Sequence, residues 1–389
     1  MHTQALPDYH GGSIVNLMGS IIAACGGAEP HYAPLTVLPP AALQERRNLV
    51  LLVIDGLGYN YLRRAAHPDS ALLQHLTARM TSVFPTTTAT AITSFMSGLA
   101  PQQHGLTGWH MYFSEIDAIA AVLPLQARQG ALPLAPAKLP KRLFSHGNIF
   151  EKLTRPSWIV SPQRIVDSPF NTYHSGKATR LGYTSMEEMF AHITHALHKK
   201  GGQKFIYAYH DKLDSLSHKY GPSSDKAAAH FRHLDRAFKT FLTGLHASDT
   251  TVLVTADHGF IDTPPERVIV INRHPRLAQM LARPLCGEPR VAYCYVHPHA
   301  RAEFETYIKT EFNHCMTLYP SAQLVEQGWF GPGAPHPRLL ERAGDYTLLM
   351  KDNYTIKDWL PHEKPHTLLG AHGGLDEDEL YVPLIVANT

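Results

Sequence analysis

Hydrophobic residues along the chain fall into two alternating patterns. Residues 49–54 form an unbroken apolar run that stops at Asp55-Gly56-Leu57-Gly58. A short continuous run bounded by polar and glycine residues fits a strand covered on both faces, as in a parallel sheet. The pattern returns at 205–209, 251–255 and 380–387, and in shorter form at 157–161. Between these runs the apolar spacing turns helical. Helices are predicted over 13–26, stopped by Gly26-Gly27, over roughly 59–79, and over 185–199 and 225–245. A further helix should begin at the threonine run after Pro85. This alternation predicts an α/β fold: a mostly parallel central sheet flanked by helices, with ligands at the carboxyl ends of the strands.

Two stretches depart from it. Residues 108–145 are rich in Ala, Pro and Leu and are expected to be irregular, part of a cover segment over about 108–180. Residues 262–368 suggest strands at 267–271, 290–296 and 345–350 and a helix at 299–313. They are expected to form an inserted, smaller α+β subdomain. Residues 1–261 together with 369–389 would then be the α/β core that carries any catalytic site. No internal repeat or low-complexity tail occurs.

Composition narrows the classes. A chain of 389 residues that is 44% hydrophobic can fill one large domain or two. A net charge of +2 gives no reason to expect a nucleic-acid polymer or a membrane as partner. No apolar run reaches the length of a membrane span, and the apolar piece 14–25 lacks a basic segment before it. The four cysteines (Cys25, Cys286, Cys294, Cys315) form no CxxC pair and read as free thiols. A cytoplasmic location is therefore expected.

The chemistry concentrates where predicted strands end. Asp55 follows the first run, and Asp257-His258-Gly259 follows the run at 251–255. Asp214 and His218 are four apart, so one helical turn presents both to the same side. His372 sits between Ala371 and two glycines. Thr86, Thr87, Thr88 and Thr90 bring hydroxyls to a predicted helix start, where free N–H groups suit an anion such as phosphate. Taken singly, each of these is more often a cap or turn residue. Together, three Asp and three His without Cys suit Zn²⁺ or Mn²⁺. Six ligands and a hydroxyl are too many for one tetrahedral zinc and fit two metals, the arrangement that clamps attacking and leaving oxygens in phosphoryl transfer.

The ordered set VIDGLG, FPTTTATAITSFMSG, DSLSHKYGP, TADHGF and AHGG resembles the alkaline phosphatase superfamily. Within it the set is most similar to the nucleotide pyrophosphatase/phosphodiesterase (type I phosphodiesterase) branch, over roughly residues 48–387. The resemblance implies an alkaline phosphatase-like fold and Thr88 as nucleophile, with Thr87 and Thr86 as fallbacks. It implies one metal on Asp214, His218 and His372, and another on Asp55, Asp257 and His258 beside Thr88. The cofactors would be two divalent ions, zinc first and manganese as the alternative.

The chain departs from the branch in two places. Ala89, Thr90, Ala91 and Ile92 stand where the branch has an aromatic and then PNH. No Asn follows His104-Gly105; Thr107 or His110 would substitute as donor, while Trp109 and His110 could equally pack or face solvent. Tyr112, Phe113, Phe170, Asn171 and Tyr173 are further candidate substrate contacts, or simply packing of the cover. The expected reaction is hydrolysis of a phosphodiester or pyrophosphate in a small molecule, a nucleotide among the candidates.

Three alternatives stay open. A phosphomonoesterase would need a cation near the phosphate, and Arg79 is expected on the preceding helix. A carbon–phosphorus hydrolase similar to phosphonoacetate hydrolase would need lysines, for which Lys138 and Lys141 are the candidates. A metal-retaining binding protein would keep the ligands without turnover.

Overall fold

The computed structural model describes residues 5–389 except 28, 133, 135–137 and 247. Its centre is the strand Asn48–Ile54, buried at every position. It pairs in parallel with Lys204–His210 on one side and Thr250–Thr255 on the other. Ile54 lies opposite His210 and Val53 opposite Thr255, so the three strands end level with one another. Asp55, the Lys212–Tyr220 helix and Asp257 therefore leave the sheet along one edge. That is where a parallel sheet places its ligands.

The full sheet has seven strands, in the order Leu76–Thr81, Tyr381–Asn388, Thr250–Thr255, Asn48–Ile54, Lys204–His210, Ser157–Pro162, Thr179–Tyr183. The last five are mutually parallel, and Tyr381–Asn388 runs antiparallel to both its neighbours. Helix Ile14–Ala24 packs on helix Thr88–Ser97, and helix Met186–His198 on the Ser157–Pro162 and Lys204–His210 strands. Among the described residues no helix is long and apolar enough to cross a membrane. The four cysteines are buried and unpaired.

The stretch expected as one helix over 59–79 is three elements: helices Tyr59–Ala65 and Ala71–Gln74, then the strand Leu76–Thr81. Pro68 lies in the break between the two helices, as its missing N–H and fixed φ require. Arg79 thus stands on an edge strand, its guanidinium 3.9 Å over the Tyr381 ring, not on a helix.

Residues 108–145 are also more regular than expected. They supply His110–Phe113, Ala118–Ala121 and Gln126–Ala127 to a second seven-stranded sheet. Its other strands are Cys286–Gly287, Val291–Cys294, Tyr346–Met350 and Met316–Pro320, and every pairing is antiparallel. A buried cluster that includes Phe84, Tyr293, Trp329 and Phe330 lies beside this sheet. Phe84 meets the rings of Trp329 and Phe330 at 5.4 and 5.2 Å, which anchors the chain just before the threonine run.

Candidate metal centre

Two glycines let the strand ends converge. Gly56 takes φ +76, a turn open to glycine at no steric cost. At Gly259 a Cβ would lie 1.9 Å from the Asp378 carbonyl oxygen, so the turn after Asp257-His258 can close only without a side chain. Asp214 and His218 ride one turn apart on helix Lys212–Tyr220.

Six predicted ligands meet in one cluster, in which Asp55, Asp257, His258 and His372 are buried and Asp214 and His218 half-buried. His258 Nε2 lies 3.3 Å from Asp55 Oδ1 and 3.5 Å from Asp257 Oδ2. His218 Nε2 lies 3.4 Å from Asp214 Oδ1 and 3.2 Å from His372 Nε2, which is itself 3.8 Å from Asp214 Oδ1. The His258 and His372 rings stack with centroids 3.7 Å apart and join the two triads. His258 also reaches the other group: its ligand atom and those of Asp214 and His372 lie within 4.8 Å of one another, as do those of Asp55, Asp257 and His258.

The hydrogen bonds aim the free atoms inward. His218, His258 and His372 each donate Nδ1–H to a backbone carbonyl, of Gly370 at 2.9 Å, Gly259 at 3.0 Å and Thr86 at 3.0 Å. That fixes the tautomer and leaves the Nε2 lone pair to the centre, as metal-ligating imidazoles require. Asp257 Oδ1 accepts from the Gly56 and His258 N–H groups, and Asp55 Oδ2 from the Tyr209 hydroxyl. Their other oxygens, Asp55 Oδ1 and Asp257 Oδ2, and Asp214 Oδ1, are buried with no hydrogen-bond partner. Three orphaned carboxylate oxygens facing imidazole lone pairs repel one another unless cations lie between them. The donor set fits divalent metal ions.

The titrations carry the same strain. Burial, with Asp214 and Asp257 nearby, raises the Asp55 carboxyl well above its ordinary range. Burial and Asp257 do the same to Asp214. Burial lowers His218 to about 4, and burial with His258 and His218 lowers His372. His218 and His372 are therefore unprotonated at neutral pH and ready to bind.

Of the three candidate nucleophiles Thr86, Thr87 and Thr88, one turns its hydroxyl toward this cluster. Thr86 Oγ1 donates to the Gly374 carbonyl at 2.7 Å and accepts from Gly373 N–H. Thr87 Oγ1 donates to Glu288 Oε1 at 2.5 Å. Thr88, the first residue of helix Thr88–Ser97, holds its hydroxyl 3.1 Å from His258 Nε2.

A cavity of about 660 Å³ opens over the cluster, with Thr88, Asp214, His218 and His372 in its wall. Trp109 and His110 line it, but the other expected contacts do not. Thr107 is buried beneath, its carbonyl accepting from the Tyr293 hydroxyl. Tyr112 bonds Asp117 and packs on Tyr295. Phe170 and Tyr173 pack on Phe144 and His174, because the short helix Pro169–His174 turns them into the protein. Lys138 and Lys141 are exposed and absent from this wall. In their place the cavity has Glu288, Arg128, Lys357 and Trp359. Nothing local in the sequence marks these four, since each reaches the site through a pairing distant along the chain.

Residues 49–375 match the family model described as type I phosphodiesterase / nucleotide pyrophosphatase. The chain belongs to that family. Among curated relatives, ectonucleotide pyrophosphatase/phosphodiesterase family member 7 of Rattus norvegicus is 23% identical over 254 residues, 58% of this chain and 54% of its own. The Mus musculus protein of that name is 23% identical over 252 residues, with 58% and 53% covered. The chain thus spans about half the length of the curated relatives it matches. Among solved structures, murine ectonucleotide pyrophosphatase/phosphodiesterase 5, an inactive variant in complex with AMP, superposes with a TM-score of 0.65 at 18% identity, covering 87% of each chain. Phosphonoacetate hydrolase from Sinorhizobium meliloti, in complex with phosphonoformate, gives 0.64 at 17% identity over 88% of this chain and 90% of that one. These likenesses show the fold, which is alkaline phosphatase-like.

Proposed function

We propose that the chain is a metal-dependent hydrolase of phosphodiester or pyrophosphate bonds, with Thr88 as nucleophile and two divalent ions, zinc first and manganese as the alternative. The observation that carries this reading is the Thr88 hydroxyl, 3.1 Å from His258 Nε2 at a helix start, beside two ligand triads with unbonded carboxylate oxygens. Asp214, His218 and His372 would hold one ion, and Asp55, Asp257 and His258 the other. Ions there would lower the pKa of the attacking hydroxyl and neutralise charge on the phosphoryl and leaving oxygens.

Thr88 Oγ1 forms the bond to phosphorus as the bond to the leaving oxygen breaks, and its proton passes to solvent. Water then cleaves the phosphothreonine and restores the hydroxyl. The N–H groups at the head of helix Thr88–Ser97 face the developing charge. The backbone bonds at Nδ1 keep the three histidines in place throughout. Trp109 and Trp359 in the cavity wall, and the AMP complex of the murine relative, support a nucleotide among the substrates to be tried.

The test is Thr88→Ala. Turnover of bis(4-nitrophenyl) phosphate should fall by about three orders of magnitude or more while two metals per chain remain bound. Undiminished turnover would remove Thr88 as nucleophile. A panel adds an aryl monoester, a dinucleoside pyrophosphate and phosphonoacetate. A large preference for the monoester or for phosphonoacetate would move the chain to that reaction class. Two bound metals with no hydrolysis of any of them would leave a binding protein.

A further inference from the structure

Lys357 ends the strand Thr355–Lys357, which is held in parallel register with Val268–Val270. It lines the same cavity as Thr88. Its ammonium lies 4.6 Å from the Trp359 ring centroid and donates to His366 Nε2 at 3.2 Å. Among the described residues no carboxylate lies within ion-pair distance of it. The acids around it are already engaged. Asp358 and Glu363 bind Arg128 at 2.8 and 2.9 Å, and Glu288 accepts from Thr87 and Trp109. That pair more than balances the charge of Arg128, whose remaining donors go to the carbonyls of Leu285 and Asp358.

Lys357 is thus a half-buried cation on the cavity wall, with an indole and an imidazole as its direct contacts. Half-burying an ammonium without a direct ion-pair partner is costly, and a ligand anion at that place would offset the cost. Burial and the nearby Arg128 charge lower its pKa from the usual lysine range, against the pull of Glu363, Glu288 and Asp358.

We infer that Lys357 determines specificity: the substrate carries a second oxyanion, carboxylate or phosphate, beyond the scissile phosphorus, and Lys357 pairs with it. This inference rests on the phosphoester reading above and names the substrate class. A pyrophosphate, or an ester with an acidic arm, meets the requirement; a neutral diester does not.

The experiment uses the metal-loaded chain and three 4-nitrophenyl phosphodiesters, whose second arm is ethyl, carboxymethyl or phosphonomethyl. All release the same nitrophenolate, so only the arm differs. The wild type should prefer at least one anionic arm in kcat/KM, and the better arm tells carboxylate from phosphate. Lys357→Met should reduce that preference by about tenfold to a hundredfold, and Lys357→Arg should keep most of it. An equal loss on all three esters, or an unchanged preference, overturns the inference. Turnover of the ethyl ester without preference for either anionic arm overturns it alone; turnover of none overturns the phosphoester reading. Calorimetry on the Thr88→Ala chain reads the same contact without turnover. There Lys357→Gln should weaken phosphonoacetate more than ethylphosphonate, and equal weakening counts against Lys357.

Discussion

Glu288 accepts the Thr87 hydroxyl at 2.5 Å and the Trp109 N–H at 2.8 Å, so one carboxyl joins the residue before the proposed nucleophile to the loop that lines the cavity. Burial pushes that carboxyl from 4.5 up to about 7, against the pull of both hydrogen bonds. A carboxyl raised by folding contributes stability that is complete below its unfolded pKa and is lost as pH rises through the folded one. The window therefore runs from 4.5 to about 7. Glu288→Gln keeps an acceptor oxygen for both donors and cannot ionise. In chelated protein, the stability of the wild type relative to this variant should fall across that window by at most about 3 kcal/mol. Denaturant unfolding of both chains at its two ends measures this. A constant difference would show that Glu288 does not change its titration on folding. Such a residue is invisible to a reading of sequence: its partner Thr87 is 201 positions away. The proposed metal ligands are legible because each sits beside a glycine turn or at helical spacing, which is local information.

At the scale of elements, one buried ion pair joins the two sheets. Arg290, next to the strand Val291–Cys294, binds Glu379 of the helix Glu377–Leu380 at 2.9 Å. Glu379 also accepts the Gly374 N–H at 2.8 Å, and Arg290 donates to the Tyr354 carbonyl at 2.6 Å. The second sheet, the last strand and the turn carrying His372 thus share a tie. Removing one member of a buried pair leaves a charge uncompensated, at a cost of about 3–5 kcal/mol. Glu379→Gln should lose about that much in denaturant unfolding, and Arg290→Met with Glu379→Met should recover part of it. A single-variant loss below about 1 kcal/mol would give the tie no more weight than a surface pair. The elements differ in legibility for a related reason. Asn48–Ile54, Lys204–His210 and Thr250–Thr255 are buried at every position, so each carries a continuous apolar stretch between polar ends, residues 49–54, 205–209 and 252–254. Leu76–Thr81 alternates half-buried and exposed positions before its last two, and Gln126–Ala127 has only two residues. A helix or loop can carry either pattern, and only the pairing partner settles them as strands.

Across the whole molecule, the central sheet delivers Asp55, Asp214, Asp257 and His258, the chain's return delivers His372, and the second sheet's segments wall the cavity with Trp109, His110 and Glu288. Metal ions in the cluster would therefore bear on the packing of both sheets at once. Chelation should lower the melting temperature, on the order of 5 °C relative to protein held at a thousandfold excess of metal over its dissociation constant. The dependence on pH has a definite sign. Asp55 and Asp214 are raised well above the ordinary carboxylate range in the chelated fold, so their contribution is lost as pH rises through their folded values. His218, at about 4, and His372, lowered by burial, hold no proton near neutrality. The protons a metal displaces there come from the carboxyls, and binding strengthens as they leave. The gap in melting temperature between loaded and chelated protein should widen as pH rises from about 6 to about 8. Scanning calorimetry of both forms across that range measures it. A gap that narrows would mean that the cluster's carboxyls are already ionised in the chelated fold, and that some other group sets its strain.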